Sequence, residues 1–290
     1  MNNEDKFGLK PIWDAVLEIY EEFAKVCEKN GLRYYVTDGN ALGAVRHKGF
    51  IPWDDDLDVC MPRPDYEKFI KLGDAELPPH LRIVHYSNTP EYYWLFAKIQ
   101  DTRREKVEEV EKKVGHMLSN GVFIDIFPID GYPMGKVDQF IVKLKNVFLL
   151  PLYRYRTRPY KIQSRKGKIP WIAGMLMSPF IPFWRSPQQM MAKMDAELMR
   201  FPFETSDMTG RACSRTHVLY RPPTPRSAWG KGKKVEYYDR EVLIPENVDA
   251  HLRSEFGPNY MTPPPLSCQH PTHTYSHRCP WWLGPTKVRG

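Results

Sequence analysis

Residues 51–59 hold four aspartates in five positions, with apolar side chains before and after them. If this run is extended, Asp54, Asp56 and Asp58 project from one face while Asp55 points away. Carboxylates two residues apart on a strand lie about 6.6 Å apart, a pitch that suits a hard divalent cation. The run therefore predicts a strand that carries a site for Mg²⁺ or Mn²⁺. A solvated acidic turn is the alternative interpretation.

An anion site is predicted directly upstream of the acid run. Gly39 and Asn40 lie in a turn that leads into a short helix, which ends near Arg46, His47 and Lys48. Free backbone N–H groups and the positive dipole end attract phosphate at such a helix N-terminus. An anion site close to a cation site is typical of phosphoryl transfer. For His47, capping or packing is the alternative to phosphate contact.

A calcium-binding EF-hand loop is a competing interpretation of the acids, because Asp54, Asp56 and Asp58 match its first, third and fifth positions. The sixth position requires Gly for a sharp turn but holds Val59, and the twelfth holds Asp65 instead of Glu. These mismatches exclude the EF-hand interpretation.

Several blocks of this sequence resemble the LicD family of bacterial phosphocholine-type transferases, which are related to fukutin and the fukutin-related proteins. The strongest block runs from residue 39 to residue 59 and continues at residues 63–67, and a second covers residues 121–131. A weaker block spans residues 256–265. The resemblance is strong over residues 31–131, moderate over residues 229–265, and poor elsewhere.

The resemblance implies a nucleotidyltransferase-like fold, in which a D-x-D pair on one strand is completed by an acid on a neighbouring strand. Asp56 and Asp58 match the pair, and Asp125 matches the third acid, so these three are the predicted catalytic residues. The predicted metal ligands are the same three carboxylates together with Asp54. Lys98 resembles a family lysine on the strand that precedes the third acid, although a solvent-facing lysine is the alternative. The predicted donor-binding residues are Gly39, Asn40, Arg46, His47 and Lys98.

The function implied by the resemblance is Mg²⁺-dependent transfer of phosphocholine, or a related phospho-substituent, from a CDP-linked donor such as CDP-choline. The acceptor would be a sugar of a free or lipid-linked cell-surface glycan: lipopolysaccharide, teichoic acid or capsule. Transfer of the NMP moiety of an NTP to a sugar, an antibiotic or a protein is the alternative. A non-catalytic adaptor is disfavoured because all three carboxylate positions are filled. Choline would need an aromatic cage, for which Trp53, Tyr92, Tyr93 and Trp94 are available.

Charge and apolar runs bound the partners and the location. The formal net charge of +7 suits anionic nucleotides, anionic lipids or acidic glycans, whereas no aromatic-plus-basic motif indicates nucleic-acid binding. A polar, acidic start and five cysteines without a C-x-x-C pair predict a cytoplasmic protein. The apolar run 169–184 follows the basic run 154–168, which predicts peripheral contact at the inner face of the plasma membrane. A buried helical hairpin is the alternative for that apolar run.

The periodicities predict an α+β fold: a nucleotidyltransferase-like mixed β-sheet core flanked by helices, with an α-rich inserted or appended part and an irregular C-terminal tail. The catalytic core is assigned to residues 1–132 and the helical part to 133–203. Residues 204–265 are assigned to an irregular segment that returns to the core, and 266–290 to a disordered tail. Helices are predicted at 11–30, 63–72, 140–150 and 188–200, and strands at 33–37, 56–61, 82–86, 93–100 and 122–127.

Two stretches near the C-terminus fit this scheme poorly. Residues 204–228 have no clear period, and residues 268–279 contain five Cys and His side chains with the chemistry of zinc ligands but no familiar spacing. A disordered tail is the alternative to a zinc site, and a reading-frame change in the gene would explain both stretches. Asp130, which follows Pro128 and precedes Gly131, is interpreted as a turn residue.

Overall fold

The computed structural model of the chain describes residues 5–90, 92, 94–104, 121–144, 186–213, 221–266, 269 and 271. The helices are α1 (Lys10–Asn30), α2 (Asp38–His47), α3 (Arg63–Leu72), α4 (Pro187–Leu198) and α5 (Val248–Phe256). The first five strands are β1 (Tyr35–Val36), β2 (Asp58–Pro62), β3 (Leu81–Val84), β4 (Ala97–Asp101) and β5 (Val122–Tyr132). The remaining strands are β6 (Met208–Gly210), β7 (Thr224–Pro225), β8 (Lys233–Tyr237) and β9 (Arg240–Ile244).

A mixed sheet forms the centre of the protein, in the order β1-β2-β5-β4-β3. Strands β2 and β5 are parallel, whereas β1–β2, β3–β4 and β4–β5 are antiparallel pairs. The far end of β5 also pairs with β6, which in turn pairs with β7. Because helices flank this sheet of mixed direction, the predicted α+β fold class is confirmed.

Helix α1 covers the sheet with its apolar face. Its buried side chains, among them Trp13, Val16, Phe23 and Val26, recur at helical spacing, which is the pattern that predicted the helix. Gly31 ends α1 with a φ of +63°, in the left-handed region that Gly enters without steric cost. The predicted helix is therefore confirmed at both ends to within one residue.

Strands β2 and β5 differ from the predicted strands 56–61 and 122–127 at the ends that concern the acids. Only Asp58 of the acid run lies in a strand, since β2 begins there and residues 54–57 form a loop. Strand β5 continues to Tyr132, so the interpretation of Asp130 as a turn residue was wrong. The Asp130 carboxylate is buried and accepts hydrogen bonds of 2.7 and 2.8 Å from Arg63, a pairing that strand-length patterns do not reveal.

Residues 204–265 contain four strands and helix α5, including the two parts of the 204–228 stretch that the structure describes. The β8–β9 hairpin packs its apolar side chains into the same core as α1, and β6 lengthens the central sheet. Residues 136–144 are helical, in partial agreement with the helix predicted at 140–150, whose remainder lies outside the described residues. The apolar run 169–184 and most of the Cys/His-rich stretch 268–279 also lie outside them.

In the described ranges, no helix combines the length and hydropathy that crossing a membrane requires. Cys27, Cys60 and Cys213 are buried and carry free thiols.

Candidate active site

Three charged side chains meet across the centre of the sheet, in a group we call the acid row: Asp58 on β2, Asp125 on β5 and Lys98 on β4. Asp58 is the register partner of Asp125 in the parallel pair, and Lys98 is the partner of Asp125 in the antiparallel pair. Register partners project from the same face of a sheet, so these three side chains are neighbours. The structure thus brings together the predicted acids of two strands.

The loop of residues 54–57, here called the acid loop, is held by hydrogen bonds from two helices. The Trp13 indole N–H donates to the Asp54 carbonyl at 2.7 Å. The Asn40 side chain donates to the Asp56 carbonyl at 2.9 Å and accepts from the Asp58 N–H at 2.7 Å. Asn40 was predicted to bind the donor; in the structure its side chain fixes the backbone between the two predicted metal ligands.

Burial alternates along the acid loop. Asp54, Asp56 and Asp58 are partly exposed, whereas Asp55 and Leu57 are buried. The alternation agrees with the prediction that Asp55 points away from the other three acids. Because Asp55 points into the protein, the partly exposed acids are left as the candidates for contact with a ligand.

The N-terminus of α2 lies against the acid loop. A Cβ added to Gly39 would come within 2.6 Å of the Asp54 Oδ2 atom, so only Gly leaves room for that carboxylate in its present position. A carboxylate next to a helix N-terminus is favoured by the helix dipole. The predicted anion-binding end of α2 therefore already faces an acid of the protein.

Asp58 lies in an unfavourable electrostatic environment. Although part of the side chain is exposed, the surrounding protein desolvates its carboxyl and raises the pKa well above the usual range, and the charges of Asp56, Asp38 and Asp125 raise it further. Carboxylates that crowd one another in this way resist ionising together unless a positive charge joins them. The site therefore favours a cation next to Asp58.

Lys98 supplies one such charge, but it is already engaged. Its Nζ atom donates to Asp125 Oδ1 at 2.6 Å and lies 3.4 Å from the centroid of the Phe123 ring. The Lys98 side chain is buried, so the alternative of a solvent-facing lysine is wrong. In the structure its charge stabilises Asp125, and binding of a donor phosphate by Lys98 stays a prediction.

Arg211 is the functional candidate that the sequence analysis missed. It follows β6, is buried, and forms a two-pronged ion pair with the Asp38 carboxylate, one of whose N–O distances is 2.6 Å. Asp38 begins α2 with an unusual φ of +53°, and Arg211 opposes the rise in the Asp58 pKa. Its guanidinium lies 3.8 Å from the Glu255 carboxylate, and Arg211 lines a small solvent-open cleft. A lone Arg in a stretch without periodicity gave no signal of this pairing.

Arg46 and His47 lie at the opposite end of α2. Seven residues of helix place Arg46 about 10 Å along the axis from Gly39. Arg46 donates to the Tyr260 carbonyl at 3.0 Å, and His47 packs edge-on against Trp53. Burial and the Arg46 charge lower the His47 pKa to about 4, so its imidazole is neutral at pH 7. Contact of Arg46 and His47 with a donor phosphate therefore stays a prediction.

The acid row and Asp56 fit a hard divalent cation in their chemistry and in their surplus negative charge. Across the ranges that the structure describes, no three side chains among Asp, Glu, His and Cys converge as a ready-made metal cage. Mg²⁺ does not need one, because it usually takes one or two carboxylates and completes its shell with water and substrate phosphate. Asp56, Asp58 and Asp125 are thus suitable ligands, and Asp54 lies next to them at the start of α2.

Aromatic side chains lie one row further along the same face of the sheet. Phe127 on β5 follows Asp125 by two residues, and Phe96 precedes Lys98 by two. Their rings are in contact at a centroid distance of 4.4 Å, with the ring planes tilted by 42°. Trp94 extends the group, 5.5 Å from Phe96. Of the four aromatics proposed for a choline cage, Trp94 and the buried Tyr92 both contact Phe96, and Trp53 packs against His47. Tyr93 lies outside the described residues.

Sequence comparison relates this chain to known proteins. Residues 31–155 match the family model described as LicD/FKTN/FKRP, nucleotidyltransferase domain. The chain is 26% identical over 265 residues to the lipopolysaccharide cholinephosphotransferase LicD of Haemophilus influenzae (strain ATCC 51907 / DSM 11121 / KW20 / Rd), an alignment that covers 89% of this chain and 92% of that protein.

Two shorter matches involve uncharacterized proteins. The chain is 37% identical over 58 residues to a protein of Rickettsia typhi (strain ATCC VR-144 / Wilmington), which is 20% of this chain and 19% of that protein. It is 37% identical over 51 residues to a protein of Rickettsia prowazekii (strain Madrid E), which is 18% of this chain and 19% of that protein.

Proposed function

We propose, from the match of residues 31–155 to the nucleotidyltransferase domain of the LicD family, that the chain is a phosphotransferase acting on lipopolysaccharide. It transfers phosphocholine from a CDP-linked donor to a sugar hydroxyl. The similarity to a lipopolysaccharide cholinephosphotransferase, which spans nearly both chains, supports the reaction and the acceptor class. The proposal includes teichoic acid and capsule as alternative acceptors. It also places the protein at the inner face of the plasma membrane.

The observation that carries the proposal is the acid row with Asp56 beside it. Asp58 and Asp125 are register partners on parallel strands, and the Asp125 charge raises the pKa of Asp58. These residues would hold Mg²⁺ or Mn²⁺, which when bound neutralises phosphate charge and polarises the reacting phosphoryl group. Lys98 donates a hydrogen bond that orients the Asp125 carboxylate, and Asn40 fixes the backbone between Asp56 and Asp58.

The transfer exchanges one P–O bond for another. The oxygen of the sugar hydroxyl attacks the phosphorus that carries choline, and the bond from that phosphorus to the bridging oxygen breaks. CMP leaves with the bridging oxygen, and the proton of the hydroxyl passes to a base or to water. We assign the base role to a carboxylate of the acid row, with Asp125 as the first candidate.

Choline as the donor substituent is favoured by the aromatic rings next to the acid row. Phe96 precedes β4 and lies two residues before Lys98, and Phe127 lies two residues after Asp125 on β5, a spacing of about 6.6 Å along an extended chain. A quaternary ammonium group attached to a phosphate at the acid row would reach ring faces of this kind, which attract it. Glycerol and ribitol donors would gain nothing from them.

Transfer of an NMP moiety is the second candidate, since the domain is of the nucleotidyltransferase type. The two reactions differ in their products. Incubation with CDP-choline and lipopolysaccharide should release CMP under the proposed function. The alternative predicts nucleotide attached to the acceptor and pyrophosphate released from an NTP.

The test measures CMP release from CDP-choline with added Mg²⁺, for the wild type and for the Asp58→Asn and Asp56→Asn variants. Loss of turnover by at least about a hundredfold in both variants is expected, because each removes a charged ligand from the site. The matched control is Asp239→Asn, an exposed aspartate near the β8–β9 turn that pairs with Arg240. Unchanged turnover and unchanged Mg²⁺ affinity in the two acid-site variants would contradict the metal-site proposal.

A further inference from the structure

The helical residues 136–144 expose an apolar face to solvent. Val137 is 72% exposed, Phe140 64% and Leu144 44%, and their spacing of three and four residues places them on one side of the helix. Met134, just before the helix, is 62% exposed. Large apolar side chains clustered in this way mark an interaction surface more often than scattered single ones do.

Lysines border this apolar face, and the acid of the helix is turned away from it. Lys136 and Lys143 project beside Phe140 on a helical wheel, and both are exposed. Asp138 projects from the other side, where it lies 3.8 Å from Arg200. The exposed side of this helix is therefore both apolar and positive.

The charge of the chain is concentrated in the same region of the sequence. Between residues 139 and 194 there are eleven Lys and Arg residues and no Asp or Glu. The formal net charge of the whole chain is +7, so the rest of the chain is net negative. A positive region attached to an otherwise acidic protein orients that protein towards an anionic surface.

We infer that the face formed by Lys136, Val137, Phe140, Lys143 and Leu144 docks on an anionic phospholipid membrane surface. The apolar side chains enter the boundary between headgroups and acyl chains, and the lysines contact the lipid phosphates. This inference rests on the proposed function in one respect, since docking would bring the acid row close to a lipid-linked glycan. The docking itself does not depend on the reaction.

The inference is tested with the full-length protein and two kinds of vesicle: phosphatidylcholine alone, and phosphatidylcholine mixed with phosphatidylglycerol. Co-sedimentation should show binding to the anionic vesicles that weakens as salt rises, and little binding to the neutral ones. The Phe140→Asp variant should bind the anionic vesicles about tenfold more weakly, because it replaces a ring that enters the membrane. The control is Leu266→Asp, which makes the same kind of change at a residue that is 79% exposed elsewhere.

Charge reversal separates the lysines from the apolar side chains. The double variant Lys136→Glu with Lys143→Glu should lose the preference for anionic vesicles, whereas Lys233→Glu, at another exposed lysine, should keep it. Absence of wild-type binding to anionic vesicles would overturn the inference, and so would equal binding by the Phe140→Asp variant and its control. If the Phe140→Asp variant melts at a lower temperature but binds vesicles as the wild type does, this face packs against another segment of the chain and the inference is wrong. A changed molecular mass in light scattering would assign it to a second copy.

Failure of the docking inference is distinguishable from failure of the proposed reaction. With a lipid-free oligosaccharide acceptor in water, the Phe140→Asp variant should turn over CDP-choline at the wild-type rate. Vesicle binding by a wild type that releases no CMP from any acceptor would support docking and count against the proposed function.

Discussion

Asp58 and Asp125 are neighbours, yet their replacement by Asn should have opposite effects on stability: Asp58→Asn should stabilise the protein and Asp125→Asn should destabilise it. Asp58 lies among like charges, with its pKa raised by burial and by three neighbouring carboxylates. Asp125 accepts a 2.6 Å hydrogen bond from the buried Lys98 ammonium. The same isosteric change therefore relieves repulsion at one position and removes an ion pair at the other.

The magnitudes follow from these two environments. Asp58→Asn removes a charge that three neighbouring carboxylates repel, and relief of such crowding should stabilise the metal-free protein by about 1–2 kcal/mol. Asp125→Asn leaves the Lys98 charge without its ion-pair partner, at a cost of about 1–3 kcal/mol. For a domain of this size, each kcal/mol shifts the melting temperature by about 2–4 °C.

The assay is thermal unfolding in the presence of a chelator, followed by circular dichroism, alongside CMP release with added Mg²⁺. Both variants should lose turnover, yet the melting temperature should rise for Asp58→Asn and fall for Asp125→Asn. The Asp239→Asn control should change neither quantity, since that side chain is 62% exposed. A shift in the same direction for both acid-row variants would refute the electrostatic reasoning, and a stabilised Asp58→Asn variant that keeps turnover would refute the catalytic assignment.

The other predictions concern the surroundings of the acid row. Arg211→Met should lower the free energy of unfolding in urea by about 3–5 kcal/mol, because it leaves the Asp38 carboxylate buried without its counter-ion, and Arg211→Lys should lose less. The stability of the wild type should fall as the pH drops from about 6.5 towards about 4, because the unfolded chain protonates His47 in that range and the folded one does not. In the His47→Gln variant the melting temperature should depend less on pH over this range. Gly39→Ala should reduce turnover with little loss of stability, because its new Cβ meets only a movable carboxylate of the acid loop. Gly43→Ala should unfold at markedly lower urea concentration, because its Cβ would come within 2.3 Å of a backbone carbonyl. Equal effects of the two substitutions would contradict this reasoning.

Local patterns were enough to predict several elements of the site. Helices α1, α2 and α3 have apolar periods or turn signals within their own residues, and the acid run has the alternation of an extended chain. The third acid, Asp125, was predicted from the family resemblance, which its place as the one ionisable side chain in residues 123–127 supports. Such signals involve neighbours a few residues apart, and they are therefore legible in the sequence.

The long-range pairings that complete the site had no such signal. Arg211 and Asp38 are 173 positions apart, and nothing in the stretch around Arg211 distinguishes it from a surface arginine. The Arg63–Asp130 pair depends on the length of β5, which a Pro and a Gly within the strand concealed. Burial of a charge is decided by what packs over it, and that information belongs to the fold rather than to the segment.

The sequence alone therefore determined which residue types carry the chemistry: a run of carboxylates, a short helix close before it and, through the family resemblance, one more acid on another strand. Gly39, which was expected in a turn before that helix, is its second residue. The tertiary structure decided how they are arranged. Register between β2, β5 and β4 places Asp58, Asp125 and Lys98 side by side, and the length of α2 places Arg46 about 10 Å along the helix axis from Gly39. The reason is physical: composition fixes charge and ligand chemistry, whereas distances between segments are set by strand pairing and helix packing.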